Sequence, residues 1–178
     1  MEISRFIFFV YCAAALGFFA SCADHSKPAN ETLVPHNFQE EKIAANKEIV
    51  RRENADIELI AKRYNWNLAK TPSGLFYEIL NKTDRQYPQT KDIVKLKGKM
   101  YLSDGTEIYN DKTDGMKEFV VNRSDEMAGL HELVKLMREG EKANAIIPSY
   151  LAYGISGDGE KIPAASFLIC EIQLIKIN

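Results

Sequence analysis

The residues whose types could do chemistry are few, and most stand in patterns that do nothing together. Serines, histidines and aspartates are present, but no Gly-x-Ser-x-Gly elbow or comparable local signature sets a nucleophile beside a base. The histidines (His25, His36, His131) and cysteines (Cys12, Cys22, Cys170) have no metal-ligand spacing, and no two cysteines form a C-x-x-C pair. Asp111, Asp114 and Gly115 lack the spacing of a calcium loop. Gly154, Gly157 and Gly159 are not framed by a strand-to-helix turn, so they are no phosphate cradle. Glu139, Glu141, Asp158 and Glu160 read as loop charges, and His131 as a residue at the edge of a helix's apolar face. No metal and no cofactor is expected. What remains is the Tyr153 hydroxyl, beside Gly154 in a loop, where a phenol reads as a rim donor rather than a core ring.

The whole chain narrows the class further. Its 178 residues suit one ordinary domain with an appendage. Lys and Arg number 23 against 25 Asp and Glu, a net charge of −2, which argues against a general nucleic-acid binder. Apolar residues at 46% and charged residues at 27% are ordinary for a soluble globular protein. Phe6 to Ala20 is an apolar run of about 15 residues, shorter than the roughly 20 that span a bilayer but suited to a signal peptide. It ends Phe19-Ala20-Ser21-Cys22 and turns polar at Asp24, which resembles a bacterial lipoprotein box with Phe19 in place of the usual leucine. That resemblance implies cleavage before Cys22, lipidation of Cys22 and attachment to a membrane. Cys170 would then be the one thiol of the folded part.

The division expected is a signal peptide over 1–21, a tether over 22–37, an amino-terminal helix within 38–70, and a compact domain over 74–178. Periodicity places the helix at 38–65. Ile43, Val50, Ile57 and Tyr64 recur every seven residues with Ile49 and Ile60 beside them, a narrow amphipathic stripe. Asn46 and Glu53 make the companion positions polar, so the stripe either packs on the following domain or pairs two chains as a dimer. Thr71-Pro72-Ser73-Gly74 stops it.

From Gly74 the period becomes two. Strands are expected at 75–80, 91–102, 107–109, 117–121, 141–148 and 166–177. In the second, Val94, Leu96, Gly98, Met100 and Leu102 face one way, and Lys95, Lys97, Lys99 and Tyr101 face solvent. Ser103-Asp104-Gly105-Thr106 is a hairpin turn, 112–115 a polar loop, and 124–138 a helix capped by Ser124 or Asp125. No strand–helix–strand repeat appears. The class is α+β, an antiparallel sheet with one helix on its face, preceded by the amino-terminal helix.

Tyr150-Leu151-Ala152-Tyr153-Gly154, just after Ile147-Pro148, resembles the signature loop of FKBP-type peptidyl-prolyl isomerases. The order of further segments is similar: Val94 to Gly98, the Ser103 to Glu107 hairpin, Gly129-Leu130 through Ala143, Ile162-Pro163-Ala164, and Glu171 to Lys176. The likeness covers about residues 74 to 178. With the Cys22 box and the single helix, the chain resembles the gliding-motility-associated FKBP-type lipoproteins of Bacteroidetes.

This resemblance implies a twisted antiparallel sheet wrapped around one helix, with a pocket between them. Tyr153 stands where the family donates a hydrogen bond to the bound carbonyl, and Met127 where a backbone N–H does similar work. Leu96, Ile108, Leu130, Ile162 and Cys170 stand at wall positions. Phe119 lies in the strand that supplies a wall aromatic, although the better register puts Lys117 there. Tyr109 replaces a family aspartate and is a second donor candidate. Leu96, Ile108, Leu130 and Cys170 all replace aromatics.

Rotation about a peptide bond faces a barrier of roughly 18–20 kcal/mol. A dry apolar wall disfavours the planar polar amide, and one or two fixed donors favour the twisted form. The implied activity is therefore a membrane-anchored prolyl isomerase acting on proline-containing segments of exported proteins, at the periplasmic side of an outer membrane. The alternative is a chaperone-like peptide-binding module on the same fold.

Overall fold

The computed structural model describes residues 36–178; the apolar leader, Cys22 and most of the tether lie outside them. Residues 43–178 form one compact unit. Helix α1 runs His36–Tyr64. It ends with Lys62 and Arg63 in its last turn, where cations favour the exposed carbonyls, and with Asn65 in the left-handed region at φ 56°. The remaining elements are β1 (Ala69–Lys70), β2 (Phe76–Ile79), β3 (Ile93–Tyr101), β4 (Glu107–Asn110), α2 (Asp111–Asp114), β5 (Lys117–Val120), α3 (Ala128–Leu136), β6 (Lys142–Ile147), a 3-10 turn at Ser149–Leu151, and β7 (Leu168–Ile177).

The strands form one seven-stranded antiparallel sheet in the order β1-β2-β6-β7-β3-β4, with β5 also on β3. The α+β class is as the periodicity predicts. The register explains its two faces, because residues opposite one another share a face. Tyr77, Ala145, Cys170 and Met100 are cross-strand partners in one row, facing the α3 side. There Leu130, Leu133 and Val134 of α3 pack with Leu96, Met100, Cys170 and Leu174 in the main core. The adjacent row, Phe76, Ile146, Ile169 and Tyr101, faces the other way. It packs with Ile57 and Ile60 of α1.

Several local expectations are corrected. The sheet has seven strands rather than six, because the two-residue β1 pairs with β2 just past α1. Residues 111–114 are a short helix, started by the Asn110 side chain accepting from the Lys112 N–H. Helix α3 begins at Ala128, not at Ser124 or Asp125, and Met127 at its N-cap offers no side-chain cap. Ser124 is spent elsewhere, since its hydroxyl accepts the Val120 N–H at 2.8 Å and closes the turn after β5. Of the α1 stripe, Ile57 and Ile60 are buried, whereas Ile43, Ile49 and Tyr64 stay exposed. The buried face is Glu53, Ile57 and Ile60, spaced by one and two helical turns.

Glu53 is therefore a buried acid. Its carboxylate accepts the Ser149 N–H at 2.5 Å and the Ser149 hydroxyl at 3.0 Å. His131 is also buried rather than at an edge. Its Nδ1 accepts the Asn122 N–H, its Nε2 meets the Ser124 carbonyl, and its ring stands edge-on to Phe119 at 5.0 Å. Glu141 is no solvated loop charge, since it is buried and accepts the N–H groups of Thr83 and Arg138.

Candidate functional site

The sequence-derived candidates lie in one cluster. Leu96 (β3), Phe119 (β5), Met127, Leu130 (α3), Ile162 and Cys170 (β7) are buried in the main core, with Ile108, Tyr109 and Tyr153 packed against it and partly exposed. Cys22 lies outside the described residues. Leu96, Leu130 and Cys170 are so deeply buried that they belong to the core rather than to an open rim, and none of them lines the hollow beside Tyr153. Burial pushes the Cys170 thiol up to about 12, with Glu126 adding to the shift and Lys117 opposing it. A thiol so held is inert. Thiol reagents are expected to leave Cys170 unmodified in the native chain and to label it fully in denaturant, as read by mass mapping of the peptide.

Phe119 sits opposite Val94, and Lys117 sits opposite Leu96. Lys117 therefore shares Leu96's inward face, while the Phe119 ring turns to His131. The Lys117 ammonium lies 5.5 Å from the Tyr109 ring centroid and 2.7 Å from Glu126 Oε2. The Tyr109 hydroxyl is already committed, donating to the Gly115 carbonyl at 2.7 Å. That corrects its assignment as a second donor for a bound peptide.

The loop after β6 is built to present Tyr153. The Ser149 carbonyl accepts the N–H groups of Ala152 and Gly154, the two neighbours of Tyr153, at 3.0 and 2.8 Å. The Ala165 N–H donates to the Gly154 carbonyl, and the Asp158 carboxylate accepts the Glu160 and Ile162 N–H groups, which brings Ile162 into the core. A Cβ on Gly129 would meet Ile147 Cγ2 at 2.3 Å, so only glycine lets α3 approach β6 here. A hollow of about 370 Å³ opens between this loop and the start of α3. It is lined by Met127, Ala128, Ala152, Tyr153 and Gly157 together with the acids Asp125, Glu126 and Asp158.

The Tyr153 hydroxyl makes no hydrogen bond among the described residues, and burial, then Glu126, Asp158 and Asp125, raise its pKa above the ordinary phenol value. It is thus a protonated, uncommitted donor. The Met127 N–H also belongs to this hollow, but Glu126 Oε1 accepts it at 3.1 Å. Glu126 and Glu53 escape a sequence reading. Lys117, two places before Phe119 on the same face, was the one legible hint.

Fold and site together define an α+β domain with a tyrosine-edged hollow between its helix and the loop after β6. The FKBP-type peptidyl-prolyl cis-trans isomerase family profile matches residues 84–175, and the chain belongs to that family. The chain is 36% identical over 108 residues to a probable FKBP-type peptidyl-prolyl cis-trans isomerase FkpA of Neisseria meningitidis, covering 61% of this chain and 39% of that protein. It is 31% identical over 138 residues to the FkpA of Aeromonas hydrophila, covering 77% and 51%. It is 35% identical over 108 residues to the FKBP-type 22 kDa isomerase of Escherichia coli, covering 60% and 52%. The chain thus spans about half the length, or less, of these curated relatives. Among the described residues no helix is long and apolar enough to cross a membrane.

Proposed function

We propose that the chain is a prolyl cis-trans isomerase tethered to a membrane through lipidated Cys22, acting on proline-containing segments of exported proteins. The observation that carries the catalytic part is the Tyr153 hydroxyl, protonated and without a partner among the described residues, on a side chain that lines the hollow and packs against the main core. Such a donor can hold a peptide carbonyl while the adjacent imide twists, and this chemistry needs no nucleophile. The anchored reading rests on Ala20-Ser21-Cys22, the outer-membrane location on the resemblance to the gliding-motility lipoproteins, and that resemblance on the box together with α1.

The test is exchange NMR on Xaa–Pro peptides with the native chain and Tyr153→Phe. Because the hydroxyl has no partner among the described residues, Tyr153→Phe is expected to leave the melting midpoint unchanged. It lowers kcat/KM by about tenfold, the worth of one hydrogen bond to substrate. Equal kcat/KM in the two proteins contradicts the assignment. The alternative, a peptide-binding module with little turnover, is favoured by Leu96, Ile108, Leu130 and Cys170, which stand at wall positions where the family resemblance puts aromatics. Its signature is peptide line broadening without faster exchange.

A further inference from the structure

We propose that Glu126, fixed by Lys117, is the residue that sets substrate affinity, by occupying the hydrogen-bond donor a bound peptide needs. This rests on the reading of the hollow as the prolyl site. Two residues that line the hollow carry donors relevant to a bound peptide, Tyr153 its hydroxyl and Met127 its N–H. The first is free, while the second carries the Glu126 carboxylate at 3.1 Å.

Nothing in helix geometry requires this, because Met127 precedes α3 and an N–H there commonly points to water or a ligand. The carboxylate is also pinned from its other side. Glu126 Oε2 lies 2.7 Å from Lys117 Nζ, with the side chains only 10% and 26% exposed. Lys117 is held in turn by its place opposite Leu96 and by the Tyr109 ring, whose hydroxyl is tied to Gly115. The contacts run unbroken from Gly115 to the Met127 N–H.

A peptide carbonyl is neutral, and a hydrogen bond to a carboxylate is roughly twice as strong as one to a neutral acceptor. A substrate reaching for Met127 must therefore displace a stronger acceptor that cannot swing away without leaving its ammonium. The displacement weakens ground state and transition state alike, so it raises KM and leaves kcat unchanged. Glu126 acts as a built-in competitor, and it favours segments that bind through other contacts.

The test compares the native full chain with Glu126→Gln and with the double variant Lys117→Leu/Glu126→Leu, which strands no charge. The probe is one Xaa–Pro peptide, read by exchange NMR for kcat and KM and by titration for Kd. The double variant is expected to lower KM and Kd about tenfold with kcat within about twofold. Glu126→Gln, which keeps an acceptor oxygen but drops the ion pair, is expected to give about a threefold fall by the same argument. Should the double variant fail to fold by its melting curve, Glu126→Gln decides alone. Unchanged or raised Kd in every folded variant overturns the proposal, whatever the turnover. Lower Kd in the variants of a chain that shows no turnover supports Glu126 as the affinity residue and contradicts only the isomerase reading.

Discussion

Glu53→Ala is expected to lower the melting midpoint by roughly 10 °C and to slow prolyl exchange in the same protein. Glu53 is 8% exposed and Ser149 6% exposed, so water does not replace the lost acceptor. The Ser149 N–H and hydroxyl both donate to that carboxylate. Leaving two buried donors unpaired costs about 3 kcal/mol, which in a chain of this size is a shift of roughly 10 °C. The effect on exchange follows from where Ser149 lies. Its carbonyl holds the N–H groups on either side of Tyr153, so loosening Ser149 lets the donor wander. Glu53→Gln retains one acceptor oxygen and should recover about half of both losses. Thermal melting by circular dichroism, with exchange rates measured well below the midpoint, separates the two effects. A normal midpoint in Glu53→Ala contradicts the account of α1 as part of the domain.

The second large effect is expected at Gly98, in the middle of β3. Its φ of +139° is disfavoured for any residue with a Cβ, and a Cβ there would lie 2.0 Å from the Glu171 carbonyl oxygen and 2.8 Å from Ile172 Cα. Both are main-chain atoms of β7, the strand paired with β3 along most of its length. Neither can turn aside as a flexible side chain would. Gly98→Ala should therefore cost about 4 kcal/mol, by backbone strain together with broken pairing, and lower the urea midpoint with little change in slope. Gly105→Ala is the control. Its φ is +90° but nothing lies within 4 Å of its Cβ, so only the conformational cost of about 1 kcal/mol applies. Equal midpoints for the two variants contradict the assignment of strain to the β3–β7 approach.

These two residues also show what a sequence can and cannot tell. The strand around Gly98 is legible because one face is buried and the other is wet, so Val94, Leu96, Met100 and Leu102 alternate with lysines. The glycine's contact is not legible, since Glu171 comes beside it only through the β3–β7 register. Glu53 is hidden for a similar reason. Hydropathy places an acid on the solvent side of a helix, and its partner Ser149 lies 96 positions away. Ile169 alternates with Leu168 and Cys170 along β7, and α1 covers its face through Ile57 and Ile60. Tyr153 stands out from its local segment, and its hydroxyl has no partner among the described residues. Tyr109 reads as a donor by position, but its hydroxyl already donates to the Gly115 carbonyl. Lys117 and Glu126 become a pair only when β5 and the start of α3 close on one another.

As proposed above, this hollow speeds rotation about Xaa–Pro bonds. The most direct measurement is the cis–trans exchange rate of an Xaa–Pro peptide at rising concentrations of the native full chain, by magnetisation-transfer NMR. Uncatalysed exchange takes about 10–100 s at 25 °C. The account predicts a rate that climbs with protein concentration and falls back in Tyr153→Phe. Exchange that stays at the uncatalysed rate while peptide signals broaden would contradict catalysis and leave a binding module on an isomerase fold.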